Sequence, residues 1–191
     1  MYTAVMNEKI TIAVIAGTTR EGRESIKAAN WVAEEGRKRE DAEIIFVDPK
    51  DFNLPNDGDN EDTRDPRYSE ITAKADAFYI VTPEYNRSIP GSLKRLIDSE
   101  FDNYHHKAVA TAGVSSGQWG GTRVCEALLH VYHTLWLVVI KPELYFPKVK
   151  ELFDDQGNMN PEYIEAYQKN VHVAYDELVW MARVLKAAKT G

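Results

Sequence analysis

Apolar residues gather in five short, partly β-branched runs: Ile10 to Ala16, Ile44 to Val47, Ala77 to Val81, Ala108 to Ala112 and Leu135 to Ile140. Their near-continuous apolar character, without strict alternation, is what strands covered by helices on both faces require. Between them the period changes to that of a helix. Ser25 to Arg39 carries Ile26, Ala29, Val32 and Ala33 on one face, Ser92 to Ser99 carries Leu93, Leu96 and Ile97, and Thr122 to Thr134 carries Val124, Ala127, Leu128 and Val131. A last helix opens at Asn160-Pro161, a cap followed by proline at the first helical position, and runs with Ile164, Tyr167, Val171, Ala174, Leu178, Ala182 and Leu185 on one side. Strand and helix therefore alternate, which predicts an α/β fold: a three-layer, doubly wound, parallel five-stranded sheet in the order 2-1-3-4-5. In that order the loops after the first, third and fourth strands leave the sheet side by side at its carboxyl edge, where such sheets bind ligands.

Composition narrows the function classes. The 191 residues are expected to form one domain, 1–191, with 43% hydrophobic and 28% charged residues. No apolar run approaches the roughly 20 residues of a spanning helix. Met1 to Glu8 lacks a basic region followed by an apolar core, so cytoplasm is the expected location and a membrane is not an expected partner. A net charge of −7 argues against nucleic acid. The single cysteine, Cys125, excludes a CxxC pair, so redox work requires a bound cofactor.

Two of the loops at the predicted carboxyl edge carry recognisable chemistry. Gly17-Thr18-Thr19-Arg20-Glu21-Gly22-Arg23-Glu24-Ser25 leads from a strand into a helix; its backbone N–H groups, the hydroxyls of Thr18, Thr19 and Ser25, and the charges of Arg20 and Arg23 suit a phosphate. It is neither a Walker loop nor GxGxxG, which disfavours NTP hydrolysis. The plainer alternative is a helix cap at Ser25 with the arginines paired to Glu21 and Glu24. In Pro83-Glu84-Tyr85-Asn86-Arg87-Ser88-Ile89-Pro90-Gly91, polar edges at Glu84 and Asn86 and the plane of Tyr85 suit a ring system, although Pro-x-Tyr-Asn is also ordinary turn chemistry.

The run Pro83-Glu84-Tyr85-Asn86, with Ser88-Ile89-Pro90-Gly91-Ser92-Leu93-Lys94 and Ile97-Asp98, resembles the signature of the NAD(P)H-dependent FMN reductase family. Gly17 to Ser25 is similar to that family's phosphate loop, and Val114-Ser115-Ser116-Gly117 with Gly120-Gly121 to its third flavin-contacting loop; the likeness runs from about Ile10 to Leu137. It implies a flavodoxin-like fold, the strand count having put the Rossmann order second to 2-1-3-4-5, and non-covalent FMN with NAD(P)H as co-substrate. It further implies a homodimer or dimer of dimers, and two-electron reduction of a flavin, quinone, azo or metal-oxyanion acceptor. Carried over by position, Thr18, Arg20, Arg23, Ser25 and Ile26 hold the FMN phosphate; Pro83, Glu84, Tyr85 and Asn86 contact the ring and ribityl chain; Ser115, Ser116 and Gly117 complete the ring pocket. The cofactor carries the bond chemistry, so no catalytic side chain is named. A flavodoxin-type electron carrier reduced by a partner protein is the alternative. Gln118-Trp119 and Ser99 depart from the family pattern, and Tyr145 to Asn158 shows none.

Other features read more plainly. Glu126, His130 and His133 share a helical stripe, but Val124, Ala127, Leu128 and Val131 define that helix's core side, leaving the stripe toward water or a partner. Cys125 reads as a small helical hydrophobe, and His105-His106 as a solvated turn. Asp48 to Ser69 reads as a long acidic connection; Asp57, Asp59 and Asp62 lack calcium-loop spacing. Tyr163, Tyr167, Tyr175 and Trp180 on the last helix are candidates for a subunit interface.

Overall fold

The computed structural model describes residues 8–54, 64–141 and 143–189. The elements in order are β1 (Ile10–Ala16), α1 (Ser25–Arg37), β2 (Ala42–Val47), α2 (Pro66–Lys74), β3 (Ala77–Pro83), α3 (Gly91–Asp98), β4 (Ala108–Val114), α4 (Thr122–Thr134), β5 (Val138–Val139), β6 (Leu144–Phe146), α5 (Val149–Leu152) and α6 (Pro161–Lys189). The strands are parallel in the order β2-β1-β3-β4-β5, with β6 also paired to β4. This is the doubly wound α/β order expected from the alternation of patterns.

Every residue of β1 and β4 is buried, yet successive side chains go to opposite faces, as the pleat demands. Ile10, Ile12, Val14, Tyr79 and Val81 join Ala28, Ala29, Val32 and Ala33 of α1 and Val171, Ala174, Tyr175 and Leu178 of α6 in one core. Ala13, Ile15, Phe78, Ile80 and Val109 join Tyr68 of α2, Leu93, Leu96 and Ile97 of α3, and Val124, Cys125, Leu128 and Tyr132 of α4 in the other. Cys125 is thus a core residue, and burial pushes its thiol up to about 12.

The far edge differs from a plain fifth strand. Of the run Leu135 to Ile140, only Val138–Val139 pairs with the start of β4, at Ala108 and Val109. Leu135 caps α4, and Trp136 turns at φ 55°. The chain returns at Leu144–Phe146 to pair with Ala112, Gly113 and Val114. Two short pieces therefore fill the position beyond β4, giving a six-stranded sheet. The connection after β2 also holds more than a loop: Asp48 caps a 3-10 turn at Pro49–Asp51, and α2 starts at Pro66. Asp57, Asp59 and Asp62 lie outside the described residues.

On α6, Tyr175 is fully buried, its hydroxyl donating to the Val32 carbonyl at 2.9 Å. Tyr163 and Tyr167 pack partly against the same core, so of the four rings named for an interface only Trp180 stands in solvent. The His105-His106 turn is also less solvated than expected. The His105 ring stacks on Trp136 at 5.0 Å and meets Phe101 edge-on at 4.7 Å.

Candidate active site

The loop after β1 begins with a close approach. Gly17 donates its N–H to the Val81 carbonyl at 2.8 Å, and a Cβ on Gly17 would lie 2.5 Å or less from Thr82 atoms, so only glycine lets the chain pass over β3. Side chains then fix the loop. The Thr18 hydroxyl is buried, accepts from the Arg20 N–H at 3.2 Å and lies 3.2 Å from the Tyr85 hydroxyl. The Thr19 N–H donates to the Ser92 hydroxyl at 3.2 Å, joining the loop to the first turn of α3.

The two arginines of this loop are placed differently. Arg23 has a side chain only 9% exposed, and it makes a two-pronged pair with Asp48 at the end of β2, one prong at 2.8 Å, while also donating to the Thr18 carbonyl. Burial alone raises the Asp48 carboxyl, but the Arg23 guanidinium and the Lys50 N–H outweigh it and hold the group below its usual range. Arg20 makes no ion pair among the described residues; its guanidinium lies 5.8 Å from the centre of the Tyr85 ring. Neither arginine takes Glu21 or Glu24 as its partner: Glu24 binds Lys27 at 2.7 Å. Ser25 is the first residue of α1, after Glu24 at the cap position, and no side chain caps this helix. Its first-turn N–H groups therefore have no side-chain acceptor, an arrangement suited to an anion.

The second loop is aimed by a tight turn. Tyr85 and Ser88 exchange both backbone hydrogen bonds, at 3.0 and 2.9 Å, around Asn86 at φ 50° and Arg87 at φ 65°, the left-handed pair of a two-residue hairpin. Glu84 reaches the start of α4, where its carboxylate accepts from the Arg123 N–H at 3.1 Å and faces the Arg123 guanidinium at 3.7 Å.

The third loop is fixed by main chain. Ser115 donates its N–H to the Phe146 carbonyl at 3.0 Å, Val149 donates to the Ser115 carbonyl at 3.1 Å, and Lys148 donates to the Gly117 carbonyl at 2.9 Å. A Cβ on Gly113 would come within 2.5 to 2.6 Å of the carbonyl oxygens of Gly120 and Gly121, so the loop returns directly over the end of β4.

All three loops line one cleft of about 410 Å³, within the usual range for small-molecule sites. Of the residues named from sequence, Arg20, Arg23, Pro83, Glu84, Tyr85, Ser115 and Ser116 form its walls. Thr18 sits behind Tyr85, Ser25 and Ile26 start α1, and Asn86 and Gly117 stand exposed at loop tips outside the walls. Val149 and Lys150 also line the cleft, and sequence reading missed them. Their only signal was position, just past a three-residue strand.

Residues 10–151 match the family model described as NADPH-dependent FMN reductase. The chain belongs to that family. As a family member it is an FMN-dependent NAD(P)H oxidoreductase. It is 31% identical over 165 residues to a quinone reductase of Pseudomonas putida, covering 81% of this chain and 87% of the relative. It is likewise 31% identical over 167 residues to the NAD(P)H-dependent FMN reductase C4B3.06c of Schizosaccharomyces pombe, covering 80% and 81%. Among solved structures, the flavoenzyme NAD(P)H:(acceptor) oxidoreductase FerB from Paracoccus denitrificans shares the fold at a TM-score of 0.71 and 24% identity, over 88% of this chain and 97% of that one.

The residues present fit FMN. An uncapped helix start beside an arginine with no ion pair among the described residues suits the phosphate, and the walls from the second and third loops suit a flat ring.

Proposed function

We propose that the cleft holds FMN with its phosphate at the start of α1 and its ring against the second and third loops, and that the acceptor is a small quinone or flavin. The observation that carries this reading is the meeting of all three loops in one cleft. Arg20, the Ser25 hydroxyl and the first-turn N–H groups at Ser25 and Ile26 take the phosphate, and the buried Thr18 hydroxyl braces the loop behind them. Arg23 acts one step behind them: bound to Asp48 and the Thr18 carbonyl, it holds the loop in the shape the phosphate needs. Pro83, Glu84 and Tyr85 meet the ring and ribityl chain and Ser115 and Ser116 supply the opposite edge, while Asn86 and Gly117, at the loop tips, stand at the rim. The chemistry the flavin supplies when bound is two-electron transfer from the nicotinamide to the acceptor, and the side chains position both rings without a covalent step.

The quinone choice is supported by the Pseudomonas putida relative named as a quinone reductase. Two hydrophobic cores on the two faces of one sheet support reading residues 1–191 as one domain. We read the protein as cytoplasmic; no helix among the described residues is long and apolar enough to cross a membrane. Exposed Trp119 on the third loop and Leu129 on α4 support a homodimer or dimer of dimers, which light scattering across concentration tests.

Titration of dialysed protein with FMN, followed by quenching of flavin fluorescence, tests the site. Stoichiometric quenching, then rapid bleaching of the bound flavin by NADH or NADPH and reoxidation by a benzoquinone, is expected. Absence of binding overturns the site, and bleaching only through an added reductase favours an electron carrier.

A further inference from the structure

We propose that Lys150 grips the diphosphate of the incoming nicotinamide dinucleotide at the mouth of the cleft; the proposal rests on the flavin reading given above.

Lys150 stands on α5, one residue beyond Val149, whose N–H is bonded to the Ser115 carbonyl at 3.1 Å. Its backbone is therefore tied to the ring loop, although nothing in the family-like motifs points to it. The side chain is exposed, lines the cleft, and makes no ion pair among the described residues. Neighbouring charges are already committed. Lys148 takes Glu151 at 3.2 Å, Lys27 takes Glu24 at 2.7 Å, Arg23 is held by Asp48, and Arg123 faces Glu84 at 3.7 Å. Glu21 is the one cleft-lining acid without an ion pair among the described residues, and it lies on the phosphate loop with Arg20.

In a chain of net charge −7, an ammonium at a ligand mouth with no ion pair among the described residues is the point an arriving anion meets. A flexible lysine there acts as an adaptable point charge, suited to a ligand that enters and leaves each turnover. The flavin phosphate has its own donors at the start of α1. The diphosphate stands one ribose from the nicotinamide, whereas the 2′-phosphate of NADPH is on the far ribose. Lys150 stands on the segment bonded to Ser115, on the ring side of the cleft and not on the α1 loop, and therefore meets the diphosphate, which NADH and NADPH share.

The test uses FMN-loaded wild type, Lys150→Gln, Lys150→Arg and Lys169→Gln, the last making the same charge change on the exposed side of α6. FMN affinity is read by fluorescence, NAD⁺ and NADP⁺ affinity by the perturbation of the bound-flavin spectrum, and KM by steady state. Lys150→Gln is expected to weaken NAD⁺ and NADP⁺ in parallel by about 5- to 20-fold and to raise both KM values alike, with FMN affinity within about twofold of wild type. Lys150→Arg is expected to recover most of the loss, and Lys169→Gln to change nothing. Unchanged dinucleotide affinity, a loss confined to NADP⁺, or a comparable loss of FMN affinity each overturns the proposal. Failure of the wild type to bind FMN overturns the flavin reading itself and removes the basis for Lys150, an outcome visible before any variant is compared.

Discussion

The loop after β1 and the loop after β4 line the same cleft but are held by different means. In the first, side chains from distant parts of the chain do the holding: Thr18, Arg23, Asp48 and Ser92 form a mesh. In the third, backbone groups of Ser115, Gly117, Phe146, Lys148 and Val149 hold one another, over a passage open only to glycine at Gly113. A side-chain mesh can be loosened by conservative substitutions and depends on pH through its carboxylates. A main-chain lattice ignores most substitutions and fails when backbone geometry changes.

The largest effect should come from the main-chain side. Gly113→Val places side-chain atoms where the Gly120 and Gly121 carbonyls lie, and is expected to cost about 3 kcal/mol or more, measured by urea unfolding. Loss of less than about 1 kcal/mol would show that the third loop is held loosely. Next, Arg20→Ala is expected to weaken FMN by about 10- to 100-fold, equivalent to roughly 1.4 to 2.8 kcal/mol, with the unfolding midpoint of the apoprotein unchanged.

Asp48→Asn removes the charge that holds Arg23 and should cost about 1 to 2 kcal/mol of stability, with FMN affinity falling as the loop loosens. The same link predicts a pH dependence. The Asp48 carboxyl is held below its unfolded value, so its contribution is fully present above pH about 4 and is lost as pH falls further. Wild-type stability should therefore drop more steeply below pH about 4 than that of Asp48→Asn, which lacks the titrating group. The smallest effect concerns Lys148, which sits at φ 46° beside the third loop. Lys148→Gly relieves a left-handed backbone and should leave stability within about 0.5 kcal/mol of wild type or slightly above it.

The same division governs what can be read from the chain. β1, β3 and β4 were legible because central strands buried on both faces are continuously apolar, and α4 because its buried Val124 and Leu128 and its preceding glycines mark a face and a start. α2 was not, since only Tyr68 and Thr72 of its residues are buried and it begins inside a polar stretch. Its Asp65-Pro66 start is nonetheless the cap-and-proline signature that revealed Pro161, and Asp65 does accept the Arg67 N–H at 3.0 Å. The Rossmann-versus-2-1-3-4-5 choice turned on strand count, yet β6 is three residues long and carries no periodicity. At the site, residue types that bond through side chains announced the first two loops. The Arg23–Asp48 partnership, 25 positions apart, and the placing of Lys150 depend on tertiary contacts and left no local trace.

The burial of Cys125 has a chemical consequence. Quinones are electrophiles that arylate thiolates, and under the activity proposed above the protein meets them at each turnover. Here the sole cysteine is 1% exposed, and its thiol is pushed up to about 12. Burial therefore disfavours the thiolate, the form that attacks an electrophile. The tight packing of α4 against the sheet thus also works as self-protection: the folded protein keeps its only thiol inside the core, away from an electrophilic acceptor.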